Sequence, residues 1–512
     1  MIGKETILRR RMHILISLLL VHLGVSLTPQ QGNKRVVESS TRQATRVEVR
    51  LEEFTQVSAT TTKKKIKNRQ QPLALKRLES LPKQTVWTEF GALAAELGKS
   101  VCNLGQGFPD WAPPPFAAQA LLNVAEPESP VSAHQYARSA GLPALCEVLA
   151  RRYSRHFNRD IDPATEIAVT VGATQALLVS LMSIIEAPGD EIILLEPCFD
   201  LYWGQVRLAG GTPKPVALRA DTEHGLRLDL SALHHALFTA KALVVNSPHN
   251  PSGKVFTQSE LEAIAQLVAD ENERRREANI SPVYLISDEV YKYIVHDPSV
   301  SHVHLASLRA IQDVTLTVSS AGKTFSATGW QIGWIVGPRH LLKHAHRILP
   351  YLQFCAATPI QTALVSALDA ADLPYRGHDS YYDWLRIEYA RKRNILFNAL
   401  NEANLPTLPA SGGFFLLADM QMYTNYIPPH YFESEDNAPS VSADWAFCRW
   451  IARDFGIIAI PASPFFDAAK PAADDPGLSQ RLVRFAFCKS DDVLKDAASR
   501  LRRLHSTLTT VV

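Results

Sequence analysis

Residues 167–186 read IAVTVGATQALLVSLMSIIE, in which a short β-branched run passes into a longer apolar run through the small residues Gly172, Ala173 and Thr174. The first five residues are typical of a buried strand, and the segment after the small residues has the length of a helix. A strand that turns directly into a helix is the repeating unit of α/β domains with a parallel sheet. This stretch therefore predicts an α/β fold.

The same alternation continues to about residue 340. Five more runs are typical of strands: EIILLE (191–196), ALVVN (242–246), VYLIS (283–287), VTLTVSS (314–320) and WIVG (334–337). Ligands of such sheets bind at the carboxyl ends of the strands, and the residues that end or follow these runs include Phe199, Asn250, Asp288, Ser320 and Lys323. Beyond residue 360, alternating runs such as GGFFLLADM and RLVRFAFCK predict a smaller α+β lobe.

Lys323 and Asp288 are the residues with the clearest chemical meaning. Lys323 lies in SSAGKTFSATGWQIGW (319–334) and has no charged neighbour between Asp313 and Arg339. A lysine in such surroundings loses its charge readily, and its neutral amine can form a Schiff base with a carbonyl group. A carboxylate on a neighbouring strand can hold a heteroaromatic nitrogen protonated, which is what pyridoxal phosphate requires. The turn after Val171 offers a helix start for the phosphate group.

Seven motifs occur in an order that resembles the fold-type I, pyridoxal-phosphate-dependent aminotransferases of class I/II. They are NLGQGFPDW, HQYARSAG, EPCFDLYW, NSPHNPSGKVF, SDEVYKY, SSAGKTFSATGW and LVRFAFCK. Within that family the motifs are most similar to the group of kynurenine aminotransferase and glutamine transaminase K, which includes cysteine-S-conjugate β-lyases. The resemblance covers about residues 82–505. It implies a large, mostly parallel-sheet domain that binds the cofactor and a smaller α+β domain.

The resemblance implies a role in cofactor binding for ten positions. Lys323 matches the catalytic lysine, which forms the Schiff base with the cofactor and later moves a proton. Asp288 matches the partner of the pyridine nitrogen, and Tyr291 and Asn250 match the partners of the phenolic oxygen. The remaining positions match a ring-stacking aromatic residue, phosphate-binding residues and a tyrosine contributed by the neighbouring subunit: Phe199, Ala173, Thr174, Ser320, Gln331 and Tyr136.

The implied substrate site contains Arg484, Asn250, Gly107 and Trp87. Arg484 matches the arginine that binds the substrate α-carboxylate with both arms of its guanidinium group. An arginine on an otherwise apolar strand is costly to bury without an anionic partner, which supports this role. Gly107 is expected beside the same carboxylate, and Trp87 is expected to form an aromatic wall.

Gln331 departs from the family pattern, which usually has Arg or Lys at this position, eight residues after the catalytic lysine. A charge-assisted contact to phosphate is about twice as strong as a neutral one. Glutamine can still donate a hydrogen bond, so we expect weaker cofactor binding rather than loss of activity.

The N-terminal part of the chain differs from the rest in charge and composition. Residues 1–80 contain 16 Lys/Arg and 6 Asp/Glu, whereas the remainder contains 37 and 45. Residues 1–28 resemble a signal-like targeting segment, and residues 29–80 a basic transit or linker segment. We expect delivery to an organelle, a mitochondrion or a plastid, with a secretory or cytoplasmic location as the alternatives. The expected organisation continues with an N-terminal arm (81–120), the cofactor domain (121–365) and the small domain (366–512).

The sequence thus predicts a ping-pong aminotransferase that acts on kynurenine, glutamine and other aromatic or sulfur amino acids, and on 2-oxo acids. The alternatives are a β-lyase that uses the same site and a non-catalytic binding protein of the same fold. The resemblance implies a homodimer with shared active sites, and we expect neither a nucleic-acid partner nor a stable membrane span in the mature protein. We expect no metal, because the six cysteines form no metal-binding spacing and the pair His340 and His344 lacks the glutamate of a zinc-protease helix.

Overall fold

The computed structural model describes residues 81, 85–221, 225–433, 440–467 and 477–509, all of which fall in one compact unit, Leu75–Val512. The predicted targeting and linker segments therefore lie outside the described residues. Within the described ranges, no helix is both long and apolar enough to cross a membrane. The boundaries that we expect between arm, large domain and small domain stay predictions.

The described chain forms thirteen strands: β1 (Cys102–Asn103), β2 (Ile167–Val171), β3 (Glu191–Glu196), β4 (Thr212–Asp221), β5 (Gly225–Leu228), β6 (Ala240–Asn246), β7 (Tyr284–Asp288), β8 (Thr315–Ser320), β9 (Ile332–Val336), β10 (Phe415–Asp419), β11 (Ile457–Ile458), β12 (Ile460–Pro461) and β13 (Leu482–Ala486). It also forms fourteen α-helices: α1 (Val86–Leu97), α2 (Pro115–Ala125), α3 (Pro143–Phe157), α4 (Gly172–Ile184), α5 (Leu201–Leu208), α6 (Leu230–Leu237), α7 (Gln258–Glu277), α8 (Ala321–Thr324), α9 (Arg339–Leu352), α10 (Thr358–Ala370), α11 (Tyr381–Glu402), α12 (Ala443–Phe455), α13 (Leu478–Arg481) and α14 (Asp491–Thr509).

The large sheet contains eight strands in the order β2-β9-β8-β7-β6-β3-β4-β5. Neighbouring strands from β8 through β7, β6 and β3 to β4 are parallel, and β9 and β5 pair antiparallel to their neighbours. Strands β6 and β8 are buried along their whole length, as expected for a sheet covered by helices on both faces. The predicted α/β fold with a mostly parallel sheet is confirmed.

All six runs predicted as strands coincide with observed strands to within two residues at either end. Strand β4 was not predicted, because Pro213 and Pro215 interrupt its sequence. In the structure both prolines pair with β3 on one side, whereas β5 pairs with the other side of β4 only at Leu218–Asp221. The prolines thus lie where β5 requires no backbone N–H group from β4, which is the position in a sheet that tolerates proline.

The C-terminal part of the chain forms a second, antiparallel sheet in the order β10-β13-β12. Its core is continuous with that of the N-terminal helices, because Phe90 and Leu104 belong to the same buried cluster as Phe415 and Phe485. Strand β13 carries Arg484 at its centre, paired with Leu417 of β10 and Ile460 of β12. The second sheet therefore fixes the arginine that the sequence identifies as a substrate ligand.

Candidate active site

A cavity of about 350 Å³ opens where the carboxyl ends of the large sheet meet the C-terminal sheet. Such a crevice is the usual ligand site of an α/β fold. The predicted site residues that line the cavity are Trp87, Gly107, Ala173, Thr174, Phe199, Asn250, Asp288, Tyr291, Ser320, Lys323, Gln331 and Arg484. Residues from strands far apart in the chain thus meet in a single cavity.

Lys323 lies on α8, the short helix that follows β8. Its Nζ donates a hydrogen bond to the carbonyl oxygen of Gly107 at 2.7 Å, and it lies 5.4 Å from the centre of the Phe414 ring. Burial lowers the pKa of Lys323 to about 8. The lysine therefore reaches its neutral, nucleophilic form near physiological pH, as Schiff-base chemistry requires.

Asp288 ends β7 and is buried in the wall of the cavity. Tyr202 donates its hydroxyl proton to Asp288 Oδ2 at 2.6 Å, and the backbone N–H of Val290 donates to Oδ1 at 3.3 Å. Burial raises the pKa of Asp288 to about 6, although the Tyr202 hydroxyl opposes this rise. An ionised carboxylate in this position is incompletely compensated, so a protonated ring nitrogen in the cavity would stabilise it.

The start of α4 forms a concave wall of backbone N–H groups. Gly172 begins the helix at φ +70°, and the backbone of Gly333 on β9 packs so closely that a Cβ on Gly333 would come within 2.5 Å of the Gly172 carbonyl carbon. Ala173 and Thr174 follow in the first turn, where N–H groups lack intrahelical acceptors. Ser320, at the end of β8, lines the same cavity. This arrangement suits a phosphate group.

Gln331 faces the same helix start. Its backbone is left-handed, with φ 51°, and its Nε2 donates to the carbonyl oxygen of Thr328 at 2.6 Å. Its Oε1 lies so near Gly172 that a Cβ there would meet it at 2.7 Å. A neutral amide thus occupies the position beside the N-terminus of α4 where a phosphate would be bound.

Arg484 is 1% exposed, and its hydrogen-bond partners are neutral. Nη1 donates to Asn250 Oδ1 and Nη2 to the carbonyl oxygen of Gly105, both at 2.9 Å. Nε has no partner among the described residues, and the guanidinium carbon lies 4.1 Å from the centre of the Phe415 ring. A buried cation with only neutral partners is a strong site for a carboxylate.

Trp87, on α1, forms the opposite side of the arginine subsite. Its indole lies 5.0 Å from the Arg484 guanidinium carbon, measured to the ring centre. Its Nε1 donates to Asp200 Oδ2 at 2.7 Å. Asp200 thereby fixes the orientation of the aromatic wall that the sequence predicts.

Tyr136 is the one predicted site residue that lies outside the cavity. It is 79% exposed, and its ring packs edge-on against Phe354 at 4.7 Å between ring centres. Its expected role requires a second subunit, so that role stays a prediction.

Sequence reasoning missed several residues of the site. Tyr202 lies in the first turn of α5, three residues after Phe199, and both belong to the motif EPCFDLYW, which was a usable signal. Asn246 ends β6, accepts the Asn250 backbone N–H at its Oδ1 at 2.7 Å, and donates to the Asp288 carbonyl oxygen at 2.9 Å. The rule that ligands bind at strand ends would have found it. Other lining residues, which lie within the sequence runs quoted above but were not singled out there, are Gln106, Phe108, Thr328 and Phe415.

Comparisons with known proteins agree with this geometry. Residues 99–501 match the family model for aminotransferases of class I and II. The chain is 36% identical to mouse kynurenine–oxoglutarate transaminase 3 over 437 residues, which cover 84% of this chain and 89% of the relative.

Two solved structures have the same fold at substantial sequence identity. N-succinyldiaminopimelate aminotransferase from Mycobacterium tuberculosis is 35% identical, with a TM-score of 0.69, and the match covers 84% of this chain and 99% of that one. An Escherichia coli protein with a methionine aminotransferase function is 32% identical, with a TM-score of 0.69 and coverage of 83% and 98%. The three relatives are named for different substrates.

Proposed function

The chain belongs to the class I and II aminotransferase family, and we propose that it transfers the amino group of an aromatic, glutamine-like or sulfur amino acid to a 2-oxo acid by a ping-pong mechanism. Enzymes of this family use pyridoxal 5′-phosphate, and the chain is close in sequence to kynurenine aminotransferases. The observation that carries the proposal is the meeting of Lys323, Asp288 and Arg484 in one cavity.

The residues present fit the cofactor at three points. Asp288 offers a buried carboxylate for the ring nitrogen, the start of α4 offers N–H groups for the phosphate, and Lys323 offers an amine of lowered pKa for the aldehyde. Phe199 lines the cavity and supplies an apolar surface for the ring. When bound, the cofactor supplies an electron sink for the bonds at the substrate Cα.

The protein groups position the substrate and move its protons. Arg484 binds the α-carboxylate, and Asn250, which accepts from Nη1, keeps the guanidinium in the orientation that presents its fork. With the cofactor bound, Lys323, with a pKa of about 8, would accept the substrate Cα proton as a neutral amine and would hold it as an ammonium until the proton is returned. Trp87 and Phe415 enclose the arginine subsite and limit the access of water.

The character of the cavity supports the proposed donors. The described residues that line it include aromatic side chains from three parts of the chain, Trp87, Phe108 and Phe415. The positively charged residues among them are Lys323 and Arg484. Arg484 binds the α-carboxylate of the donor and Lys323 acts at its Cα, so both are occupied at the reacting end. A donor with a distal carboxylate would therefore find no second cation among these residues, which disfavours aspartate.

A donor screen tests this proposal. The purified enzyme is assayed with one 2-oxo acid and with kynurenine, glutamine, phenylalanine, methionine or aspartate. We expect kcat/KM for at least one aromatic, sulfur or glutamine donor to exceed that for aspartate at least tenfold. A preference for aspartate would overturn the proposal. Pyruvate and ammonia released from a cysteine conjugate without any 2-oxo acid would reveal the alternative β-lyase activity.

An exposed apolar surface supports the homodimer that we also propose. Tyr136 and Phe354 touch each other although both are more than half exposed, and Tyr351 nearby in the chain is 91% exposed. Exposed aromatic clusters of this kind mark protein interfaces. Light scattering after size exclusion should give twice the chain mass, and the charge of a Tyr351→Asp variant should weaken the dimer. A monomeric wild type would contradict this part of the proposal.

We further propose that residues 1–80 deliver the protein to an organelle. The support is their basic composition and their apolar run from Met12 to Leu27. Sequencing the N-terminus of the mature protein from its native source tests this proposal. A mature chain that begins at Met1 would contradict cleavage.

A further inference from the structure

Three side chains that bind metals in proteins meet outside the active site. Glu289, His302 and His304 each place a ligand atom within 4.8 Å of the other two. Glu289 directly follows Asp288 at the end of β7, and the two histidines lie on the loop that leads to Leu305, where the His304 backbone is extended. Alternate residues of an extended chain point to the same side, so the spacing His-x-His brings both rings to one carboxylate.

The distances are near those of a metal site. Glu289 Oε2 lies 3.2 Å from His302 Nε2 and 2.5 Å from His304 Nδ1. Ligands held about 2.1 Å from a tetrahedral Zn²⁺ are about 3.4 Å apart. The first distance fits, and the second requires an opening of roughly 1 Å, which rotation of the carboxylate or the imidazole can supply.

A buried lysine lies in the same region and is engaged elsewhere. Lys292 Nζ donates to the Tyr153 hydroxyl at 3.1 Å and lies 4.2 Å from the centre of that ring.

Neighbouring side chains hold the three ligands in place. Ser287 Oγ donates to Glu289 Oε1 at 2.9 Å, which orients the carboxylate and leaves Oε2 to face the histidines. The His304 ring packs against His156 at 4.4 Å between centres. Nδ1 of His302 has no partner among the described residues, so no hydrogen bond at that nitrogen fixes the tautomer of the ring. The His302 and His304 side chains are 8% and 11% exposed.

We propose that Glu289, His302 and His304 bind one zinc-class divalent cation, with water completing its coordination. Two imidazoles and one carboxylate favour Zn²⁺ over Mg²⁺ or Ca²⁺, which prefer all-oxygen sites. The bound ion ties the segment before Leu305 to the end of β7, one residue from Asp288. The expectation of no metal was based on cysteine spacing and on the helical pair His340 and His344. Neither feature bears on Glu289, which lies thirteen residues before a His-x-His pair.

Zinc retention by the holoenzyme tests the proposal. The enzyme is treated with EDTA, equilibrated with buffered micromolar Zn²⁺, desalted and analysed by atomic emission. We expect about one Zn²⁺ per chain in the wild type and at least tenfold weaker binding in His302→Ala and His304→Ala. The matched control removes His340 and His344 of α9, where the same residue type has helical spacing, and it should bind as the wild type does. A hundredfold excess of Mg²⁺ should not displace the zinc.

Two results would overturn the proposal: a wild type that retains no zinc, or alanine variants that retain as much as the wild type does. X-ray absorption of the zinc-loaded wild type needs no variant, and it decides the matter even if the alanine variants do not fold. Two imidazole ligands with oxygen ligands support the site. A sulfur ligand would assign the zinc to a cysteine instead and would contradict the proposal.

Discussion

Tyr202 donates its hydroxyl proton to Asp288 Oδ2 at 2.6 Å, across 86 residues of chain. The contact joins α5 to the end of β7 and is buried at both ends. It stabilises the ionised form of a carboxylate that burial otherwise disfavours. Tyr202 thereby helps to keep Asp288 able to hold a protonated ring nitrogen, because its hydroxyl opposes the rise in pKa that burial causes.

Removing this hydroxyl should weaken catalysis at low pH. In Tyr202→Phe the pKa of Asp288 rises further above 6, because the largest opposing interaction is lost. Hydrogen bonds to charged groups contribute about 1.5–3 kcal/mol, so we expect kcat/KM to fall about tenfold or more, with the acidic limb of the pH profile moved upward. Tyr423→Phe, which removes another buried tyrosine hydroxyl bond, serves as the control. If the acidic limb did not move, the Tyr202 hydroxyl would have no effect on the ionisation of Asp288, and the role of Tyr202 would be limited to packing.

Asp288→Asn should stabilise the cofactor-free protein while it removes activity. The pKa of Asp288 is raised from 3.8 to about 6, so the folded chain holds this proton more tightly than the unfolded chain does. Stability is therefore lost as the pH rises from about 4 to 6 and stays lost above that range. At 1.36 kcal/mol per pKa unit, the cost is roughly 3 kcal/mol.

Urea unfolding of the two apoproteins measures this effect. We expect Asp288→Asn to be the more stable protein at pH 8, with a difference that shrinks at pH 5. A difference that does not depend on pH would mean that the ionisation of Asp288 does not cause it.

Arg484→Lys should lose affinity for the carboxylate of every donor and acceptor. Lysine keeps the charge but cannot replace the two-armed contact, nor reach Asn250 and the Gly105 carbonyl together. We expect kcat/KM to fall about 100-fold for both half-reactions, with the larger part in KM. Arg481→Lys is the control, because Arg481 ends α13, donates to Asp419 Oδ2 and does not line the cavity. Equal losses in the two variants would contradict the assigned role.

Gln331→Arg should bind the cofactor more tightly. The side chain at this position reaches the start of α4, and a guanidinium there adds a charge-assisted contact to phosphate. We expect the dissociation constant of the cofactor, titrated into apoenzyme by visible absorbance, to fall about tenfold. Gln331→Glu, which is nearly equal in size to the wild-type residue but negatively charged, should raise this dissociation constant. If Gln331→Arg bound no better than the wild type, Gln331 would not be the weak point that we describe.

Much of this site follows from local pattern. Strand ends place Asp288, Ser320 and Lys323 at one edge of a sheet, and the parallel arrangement brings them together without any knowledge of packing. The motif order identified Arg484, which the antiparallel pairing of β13 then aims into the same cavity.

What the sequence did not reveal depends on tertiary contacts. The hydrogen bond from Tyr202 to Asp288 depends on how α5 packs against the end of β7. Strand β4 escaped prediction because its prolines are typical of loops, and only their position in the sheet allows them to lie in a strand. Tyr136 requires a second chain. The meeting of Glu289 with His304 depends on the path of the segment after β7, which has no periodic pattern.

The most direct test of the central claim is the identity of the lysine that holds the cofactor. Purified enzyme is reduced with borohydride, which fixes the cofactor to that lysine, and is then digested and analysed by mass spectrometry. We predict that the added mass lies on Lys323, and that Lys323→Ala gives no labelled peptide and no activity. A label on another lysine, or a wild type that remains unlabelled after cofactor is supplied, would contradict the account.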